Sequence, residues 1–375
     1  MLLEVGTDQR FFLETTAKFL EEQAPPTAIR ELRNDPLGYD PAYWQRGAEL
    51  GWTSLLVGEA RGGGRLSDHG LLDLVLLAYE FGRQAAPGPL SATNVVAAAI
   101  DESPTDQTAE VLAALLEGTA TATWCPGAES AVGASATSIE INDGGRELTV
   151  NGYARVADSA PGAGYVLVTG RSGSGLTQVL VDTTSPGVTV TPARSVDLTR
   201  RLGAVAFDAV RAPRTALVGE VGAAAAQVAR QRQLVLALST AEAVGAMQAG
   251  FDMTVAWAFD RYSFGRPLAS YQEIKHRFAD MKTWLEASHA ISDAAGHAVA
   301  TGSAEAEPLV SAAKAYAGQV GSDLLQDCVQ LHGGIGVTFD HDLHLYLRRH
   351  TYNRVLFGSP TEHRRLLADL QETTG

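Results

Sequence analysis

In the first stretch of the chain, apolar residues fall at near-helical spacing: Phe11, Phe12, Leu13, Ala17, Phe19 and Leu20. This predicts an amphipathic helix over 11–22, stopped by Pro25-Pro26. A second helical run over 41–50 leads into Gly51-Trp52, and a turn follows at Gly62-Gly63-Gly64. A longer apolar helix is expected over 71–84; Pro87 and Pro89 break it, and an Ala-rich helical stretch resumes near Ala92. The pattern changes near Gly118. From there to about Leu217, short β-prone runs alternate with turn residues, and strands are expected at 119–124, 138–141, 148–150, 165–169, 178–181, 188–191 and 205–207. Asn142-Asp143-Gly144-Gly145, Gly173-Ser174-Gly175 and Ser185-Pro186-Gly187 supply turns. Strands this short and frequent predict an antiparallel sandwich or barrel, not a parallel sheet. After Gly222 the spacing is helical again, over 223–261, 271–301, 305–332, 343–355 and 361–370; Pro308 falls in a first turn, where it costs no helix hydrogen bond. The expected architecture is mainly α with a β domain: an N-terminal helical domain over 1–118, a middle β domain over 119–217 and a C-terminal helical bundle over 218–375. No internal repeat is evident, and no G-x-G-x-x-G opens a helix after a strand.

A chain of 375 residues exceeds one simple core and suggests two or three domains. Hydrophobic residues at 45% and charged residues at 19% are an ordinary globular balance. The net charge of −14 repels phosphate backbones and anionic lipid, which argues against nucleic-acid and membrane-surface roles. Any anionic ligand would therefore need a local basic pocket. The two cysteines, Cys125 and Cys328, have no C-x-x-C partner and no histidines at metal-ligand spacing. They read as reduced, buried thiols, with no metal site. The N-terminal segment is acidic and amphipathic, without the basic start and apolar run of a signal peptide, and no 18 consecutive residues are apolar. A cytoplasmic protein with no membrane span is expected.

Three segments in the last third carry specific chemistry. The first is Arg261-Tyr262-Ser263-Phe264-Gly265-Arg266-Pro267, followed by Tyr271-Gln272 and Lys275-His276. The second is Gln330-Leu331-His332-Gly333-Gly334-Ile335-Gly336, and the third is Leu347-Arg348-Arg349. Singly, each has a plain structural reading: Arg261 as a surface ion-pair residue, Phe264 as a core residue, Gly333-Gly334 as a helix C-cap. Together, and with Ala48-Glu49-Leu50-Gly51-Trp52 and the order of domains, the chain resembles the acyl-CoA dehydrogenase family over essentially its whole length. The resemblance implies a helical N-terminal domain, a middle β-barrel or sandwich and a C-terminal four-helix bundle. It also implies FAD as cofactor and α,β-desaturation of an acyl-CoA. In the family, residues matching Arg261, Phe264, Gln272, Gln330, Gly333 and Gly334 reach across a dimer interface to the dinucleotide half of the neighbour's flavin. The residue types suit this. A guanidinium forks two hydrogen bonds onto a pyrophosphate, Phe264 offers an apolar face, Gln272 both donates and accepts, and glycines allow close backbone approach.

The resemblance also shows what is missing. The family's carboxylate base, which takes the α-proton while the flavin takes the β-hydride, matches Phe357 here. Members that carry the base on the first helix of the C-terminal domain place it at Val235. Neither can accept a proton. The family's T-E-P turn matches Trp124-Cys125-Pro126-Gly127-Ala128-Glu129-Ser130, and its Trp-Ile-Thr segment matches Val156-Ala157-Asp158. Groups facing the flavin ring are thus replaced, while those reaching a neighbour's dinucleotide are kept.

This division resembles actinobacterial heterotetramers that act on steroid side-chain CoA thioesters. There a base-carrying subunit is paired with a paralogue that completes the flavin site. The first expectation is therefore a non-catalytic subunit in an α2β2 assembly. Other readings stay open: a self-sufficient dehydrogenase with a displaced base at Glu242, a flavin-dependent oxygenase or non-redox member of specialised metabolism, or a flavin-free structural partner. Glu362 is a second displaced-base candidate, also readable as a helix-start acid. Asp340, His341 and Asp342 read as a capping loop. No G-x-S-x-G elbow supports hydrolase chemistry.

Overall fold

The structure is a computed structural model that describes residues 5–127, 138–173 and 175–374. Ser174 of one expected turn, and Ala128 to Ser130 of the segment matching the T-E-P turn, lie outside them. Six helices come first: α1 (Thr7–Gln23), α2 (Pro26–Glu31), α3 (Pro41–Glu49), α4 (Gly70–Arg83), α5 (Leu90–Glu102) and α6 (Asp106–Leu116). Asp40 starts α3 by accepting the Ala42 N–H at 3.0 Å, with Pro41 in the first turn where its missing donor costs nothing. Trp52 Nε1 donates to Thr16 Oγ1 at 3.2 Å, and the indole packs edge-on to Phe81 at 4.9 Å. Gly47 makes room for it, since a Cβ there would lie 2.0 Å from the indole.

The strands are β1 (Ala122–Cys125), β2 (Ser138–Asp143), β3 (Glu147–Asp158), β4 (Tyr165–Ser172), β5 (Gly175–Asp182), β6 (Val188–Ala193), β7 (Leu202–Pro213) and β8 (Leu217–Val218). They form one sheet in the order β6-β7-β3-β2-β4-β5-β8, with β1 added beside β4. Most pairs are antiparallel, but β1 and β2 each run parallel to β4, a mixture the strand spacing does not predict. Alternating buried residues of β3, β4, β5 and β7, such as Val150, Val166, Val168, Val179 and Val205, form a separate core within the sheet. Strand β3 runs past the expected end at Val150 to Asp158. Its pairing with β7 shifts register between Val150 and Gly152 and again between Ala154 and Ala157, and such bulges carry a strand through a break in alternation.

The last part is helical: α7 (Ala225–Asp260), α8 (Gln272–Ala300), α9 (Ala306–His332), α10 (Leu343–Val355) and α11 (Pro360–Thr374). A short hairpin, β9 (Tyr262–Ser263) with β10 (Arg266–Pro267), joins α7 to α8. Helices α8, α9 and α10 pack on α7, and α11 packs on α9. By length and composition α7 could cross a membrane, but the apolar window is 89% buried inside the protein, as in a core helix. Gly82 of α4 and Gly245 of α7 let these two helices meet backbone to backbone. A Cβ on Gly245 would lie 2.0 Å from the Tyr79 carbonyl oxygen, and one on Gly82 would lie 1.9 Å from that of Glu242.

Candidate functional site: a filled cavity and an exposed arm

Val235 on α7, Phe357 after α10, Trp124 on β1 and Asp158 at the end of β3 line one cavity, completed by Ala92, Val95 and Thr123. The two positions that the resemblance aligns with the family's alternative bases therefore line the same space, and both are apolar. Trp124 is placed by the parallel register of β1 on β4, opposite Leu167. Its Nε1 donates to Thr169 Oγ1 at 3.0 Å, and Gln178 Nε2 donates to the same oxygen at 2.8 Å. Gln178 is held in turn by reciprocal amide bonds with Gln231 of α7, at 2.7 and 3.1 Å. Phe357 has a left-handed backbone, φ 59°, rare for an aromatic residue. His363 Nε2 donates to its carbonyl at 3.1 Å. That conformation lays the phenyl ring against the Trp124 indole, with centroids 6.1 Å apart and planes 23° apart. The space left is about 10 Å³, room for roughly one water.

Beside the cavity lies a buried ion network. Glu242 Oε1 accepts from Arg200 and, at 2.9 Å, from Arg349 Nη1; its Oε2 accepts from Asn353 Nδ2 at 2.9 Å. Arg349 Nε also donates to Asp197 Oδ2 at 2.6 Å, and its Nη2 to Thr199 Oγ1 at 2.8 Å. The Ala85 and Ala86 carbonyls just past α4 take its remaining donors at 3.1 and 3.0 Å. Burial alone would push the Glu242 carboxyl up, but Arg200 and Arg349 hold it below its ordinary value. Asp197 is lowered in the same way: burial pushes it up, and Arg349, the Thr199 N–H and Arg200 together outweigh that.

The surroundings of Glu242 favour a place in the ion network over the role of a displaced base. Both its oxygens are engaged by cationic or amide donors, it is held ionised, and it does not line the cavity. The titratable group that does line the cavity is Asp158. Its Oδ1 accepts from Tyr352 and, at 3.1 Å, from Ser159, and burial raises its carboxyl despite the nearby Arg200. Sequence reasoning missed Asp197, Arg200 and Tyr352. The one local signal was Asp197-x-Thr199-Arg200, where the aspartate accepts the Thr199 and Arg200 N–H groups at 2.8 and 3.1 Å.

The other displaced-base candidate also has a structural partner. Ser359 N and Oγ each donate to Glu362 Oε2 at 2.7 Å, a capping box for α11. His341 Nδ1 accepts the Leu343 N–H at 3.2 Å, and Asp342 pairs with Arg30. No cluster of metal-ligating side chains exists among the described residues. Cys125 and Cys328 are free and buried.

The second half of the site is an arm on the surface. Arg261 caps the end of α7, forms no ion pair among the described residues, and lies over the Trp257 ring at 5.9 Å. Trp257 stacks on His332 at 5.2 Å, which ties the Arg261 end of α7 to the Gly333-Gly334 turn at the end of α9. Phe264 sits at the tip of the β9–β10 hairpin with φ 49° and is 99% exposed, so the core reading of this residue is wrong. The hairpin is braced by the Leu268 N–H on the Arg261 carbonyl at 2.8 Å and by the Tyr271 hydroxyl on the Ser263 carbonyl at 2.7 Å. Gln272 and Gln330 are exposed, on α8 and α9. A Cβ on Gly333 or Gly334 would meet nothing within 4 Å, so this chain leaves the face of the turn open.

The two halves fit a flavin dinucleotide differently. The arm presents a guanidinium, an exposed aromatic ring, two carboxamides and an open glycine turn, a donor set suited to a pyrophosphate and its flanking sugars. The cavity does not fit a tricyclic ring, because Trp124 and Phe357 fill it.

Comparison with known proteins agrees with this architecture. Residues 6–119 match the acyl-CoA dehydrogenase N-terminal domain and residues 224–370 the C-terminal domain. The acyl-CoA dehydrogenase IpdE2 of Mycolicibacterium smegmatis is 31% identical over 98% of this chain and 100% of its own length. IpdE2 of Mycobacterium tuberculosis is 30% identical, over 98% of each. Among solved structures, a variant of the Tcur3481-Tcur3483 steroid ACAD superposes with a TM-score of 0.88 at 25% identity, covering 99% of both chains. The ChsE4-ChsE5 complex from Mycobacterium tuberculosis has the same fold, with a TM-score of 0.88 at 23% identity over 99% of both chains. The chain belongs to the acyl-CoA dehydrogenase family, FAD-dependent oxidoreductases acting on CH–CH bonds.

Proposed function

We propose that this chain is the base-lacking subunit of a heteromeric acyl-CoA dehydrogenase. One observation carries the reading: Phe357 and Val235 line a single small cavity and are both apolar, while Arg261, Phe264, Gln272, Gln330 and Gly333-Gly334 are all exposed on the surface arm. The partner is a paralogue with a carboxylate where this chain has Phe357, in an α2β2 tetramer working in the cytoplasm. FAD, seated in the partner, would supply the acceptor for the hydride that leaves the β-carbon of the thioester. This chain's residues would hold the other end of that cofactor: Arg261 would pair with the pyrophosphate, Gln272 and Gln330 would bond the polar edges, Phe264 would cover an apolar face, and Gly333-Gly334 would admit the chain of the dinucleotide. The partner's carboxylate takes the α-proton. The steroid ACAD among the structural neighbours supports a bulky, steroid-derived CoA thioester as substrate. The test is the purified chain alone. It is expected to be colourless and unable to reduce an artificial electron acceptor with acyl-CoA. A yellow, active homo-oligomer would overturn the reading.

A second reading rests on Asp158, the buried carboxylate lining the cavity. If this chain desaturates a thioester by itself, Asp158 is the group in place to take the proton. Asp158→Asn would then abolish a turnover that the isolated wild-type chain must first possess.

A further inference from the structure

The structure assigns Trp124 and Phe357 the role of a built-in plug: this chain's own aromatic side chains close the cavity that a flavin ring and thioester would need. The inference rests on the reading of the chain as base-lacking and extends it. Loss of the base would require only that Phe357 not be a carboxylate; it would leave an open cavity. What is present instead is a filled one. The two rings stack with 23° between their planes, and about 10 Å³ remains around them.

Three features distinguish the filled cavity from a chance collapse. The indole N–H of Trp124 is satisfied by Thr169 at 3.0 Å, and Thr169 is fixed by the Gln178–Gln231 amide pair, which links the sheet to α7. Phe357 keeps a left-handed φ of 59° that a glycine would adopt without strain, so packing must compensate for the backbone conformation. Val235 and Ala92 add apolar walls, and the polar lining groups are engaged elsewhere, Thr123 Oγ1 donating to the Asp158 carbonyl and Asp158 Oδ1 accepting from Tyr352 and Ser159. Collapse of an unused pocket onto whatever side chains were nearby would not be expected to satisfy the indole donor and retain a strained aromatic residue together.

The consequence is that this subunit cannot accept a flavin ring in its own cavity, and its contact with flavin is confined to the exposed arm. The probe is lumichrome, the tricyclic alloxazine counterpart of the flavin ring without the dinucleotide tail, titrated into the full-length chain by fluorescence quenching and equilibrium dialysis. Because the probe has no tail, neither the arm nor a partner affects the result, which is therefore separate from the flavin count of any assembled complex. Wild type is expected not to bind. The Trp124→Ala/Phe357→Gly double variant is expected to bind about one lumichrome per chain, at least ~10-fold more tightly than wild type. Phe357→Gly alone suits the left-handed backbone and is the fallback should the double variant fail to fold, as judged by circular dichroism; it is expected to show the same direction of change. Saturable 1:1 binding by wild type would overturn the plug, as would a folded variant that binds no more lumichrome than wild type.

Discussion

Arg349 Nη1 lies 2.9 Å from Glu242 Oε1, with the two side chains only 1% and 5% exposed. Arg200 reaches the same oxygen and also the Gly88 carbonyl, while Arg349 reaches Asp197 and the end of α4. One carboxylate thus joins the N-terminal helices, the loop before β7, and helices α7 and α10. Buried charges are costly unless paired, and here groups from all three parts of the chain supply the pairing, with only Arg200 Nε of the two guanidinium groups left without a partner among the described residues.

Glu242→Gln should therefore destabilise the fold without acting on catalysis. Removing the charge leaves two buried guanidinium groups short of a counter-ion, a loss of about 3–5 kcal/mol. A fall in the urea midpoint is expected, with turnover per folded complex unchanged. A variant of wild-type stability that has lost turnover would restore Glu242 as a base.

The close crossing of α4 and α7 makes Gly245 sensitive. Alanine is the better helix former by about 1 kcal/mol, yet its Cβ would lie 2.0 Å from a backbone oxygen that cannot rotate away. Gly245→Ala is expected to lose about 1–3 kcal/mol by overpacking, measured by thermal or urea unfolding. A gain in stability would show that the helices separate freely.

Acid should destabilise the protein through buried histidines. Burial, with Lys314 and Arg354 adding to it and the Gly318 and Ala243 carbonyls opposing it, pulls His350 from 6.5 to about 4. Between those values the unfolded chain holds a proton that the folded chain does not, so stability is complete above pH 6.5 and is lost as the pH falls towards 4. The slope from this group is about 1.4 kcal/mol per pH unit. His289 and His363, also lowered to about 4 by burial, act in the same direction. Urea unfolding at several pH values checks the sign. His350→Gln should reduce the slope over that window.

Phe264 separates folding from assembly. It is 99% exposed with φ 49°, so the isolated chain gains nothing from its ring and carries its backbone strain. Phe264→Gly is expected to leave the isolated chain as stable, or to raise its stability by roughly 1 kcal/mol, while lowering flavin retention in the complex with the partner. Unchanged retention would remove Phe264 from the arm.

Much of this is legible in the sequence where the determinants are local. Periodicity marks α10 at its observed limits, Leu343–Val355, and the glycine turn after α9 falls where expected. Strand β3 reads too short in the sequence because Asn151-Gly152 interrupts the alternation; pairing with β7 and a bulge carry the strand through, and only the partner strand reveals that. The ion network is not legible for a related reason. Arg349 meets Asp197 across 152 positions and Glu242 across 107, and no local pattern encodes such contacts. That Phe357 and Val235 replace bases comes from resemblance. That they face the same cavity, and that Trp124 and Phe357 fill it, requires the fold.

The central claim is a division of labour between unlike subunits, and counting flavin tests it most directly. The chain should be co-expressed with a family paralogue that carries a glutamate at the position of Phe357, and flavin should be measured per subunit in the purified tetramer. Flavin in only the partner's half of the sites, one for each pair of unlike subunits, is the predicted result. One flavin for every subunit would contradict it.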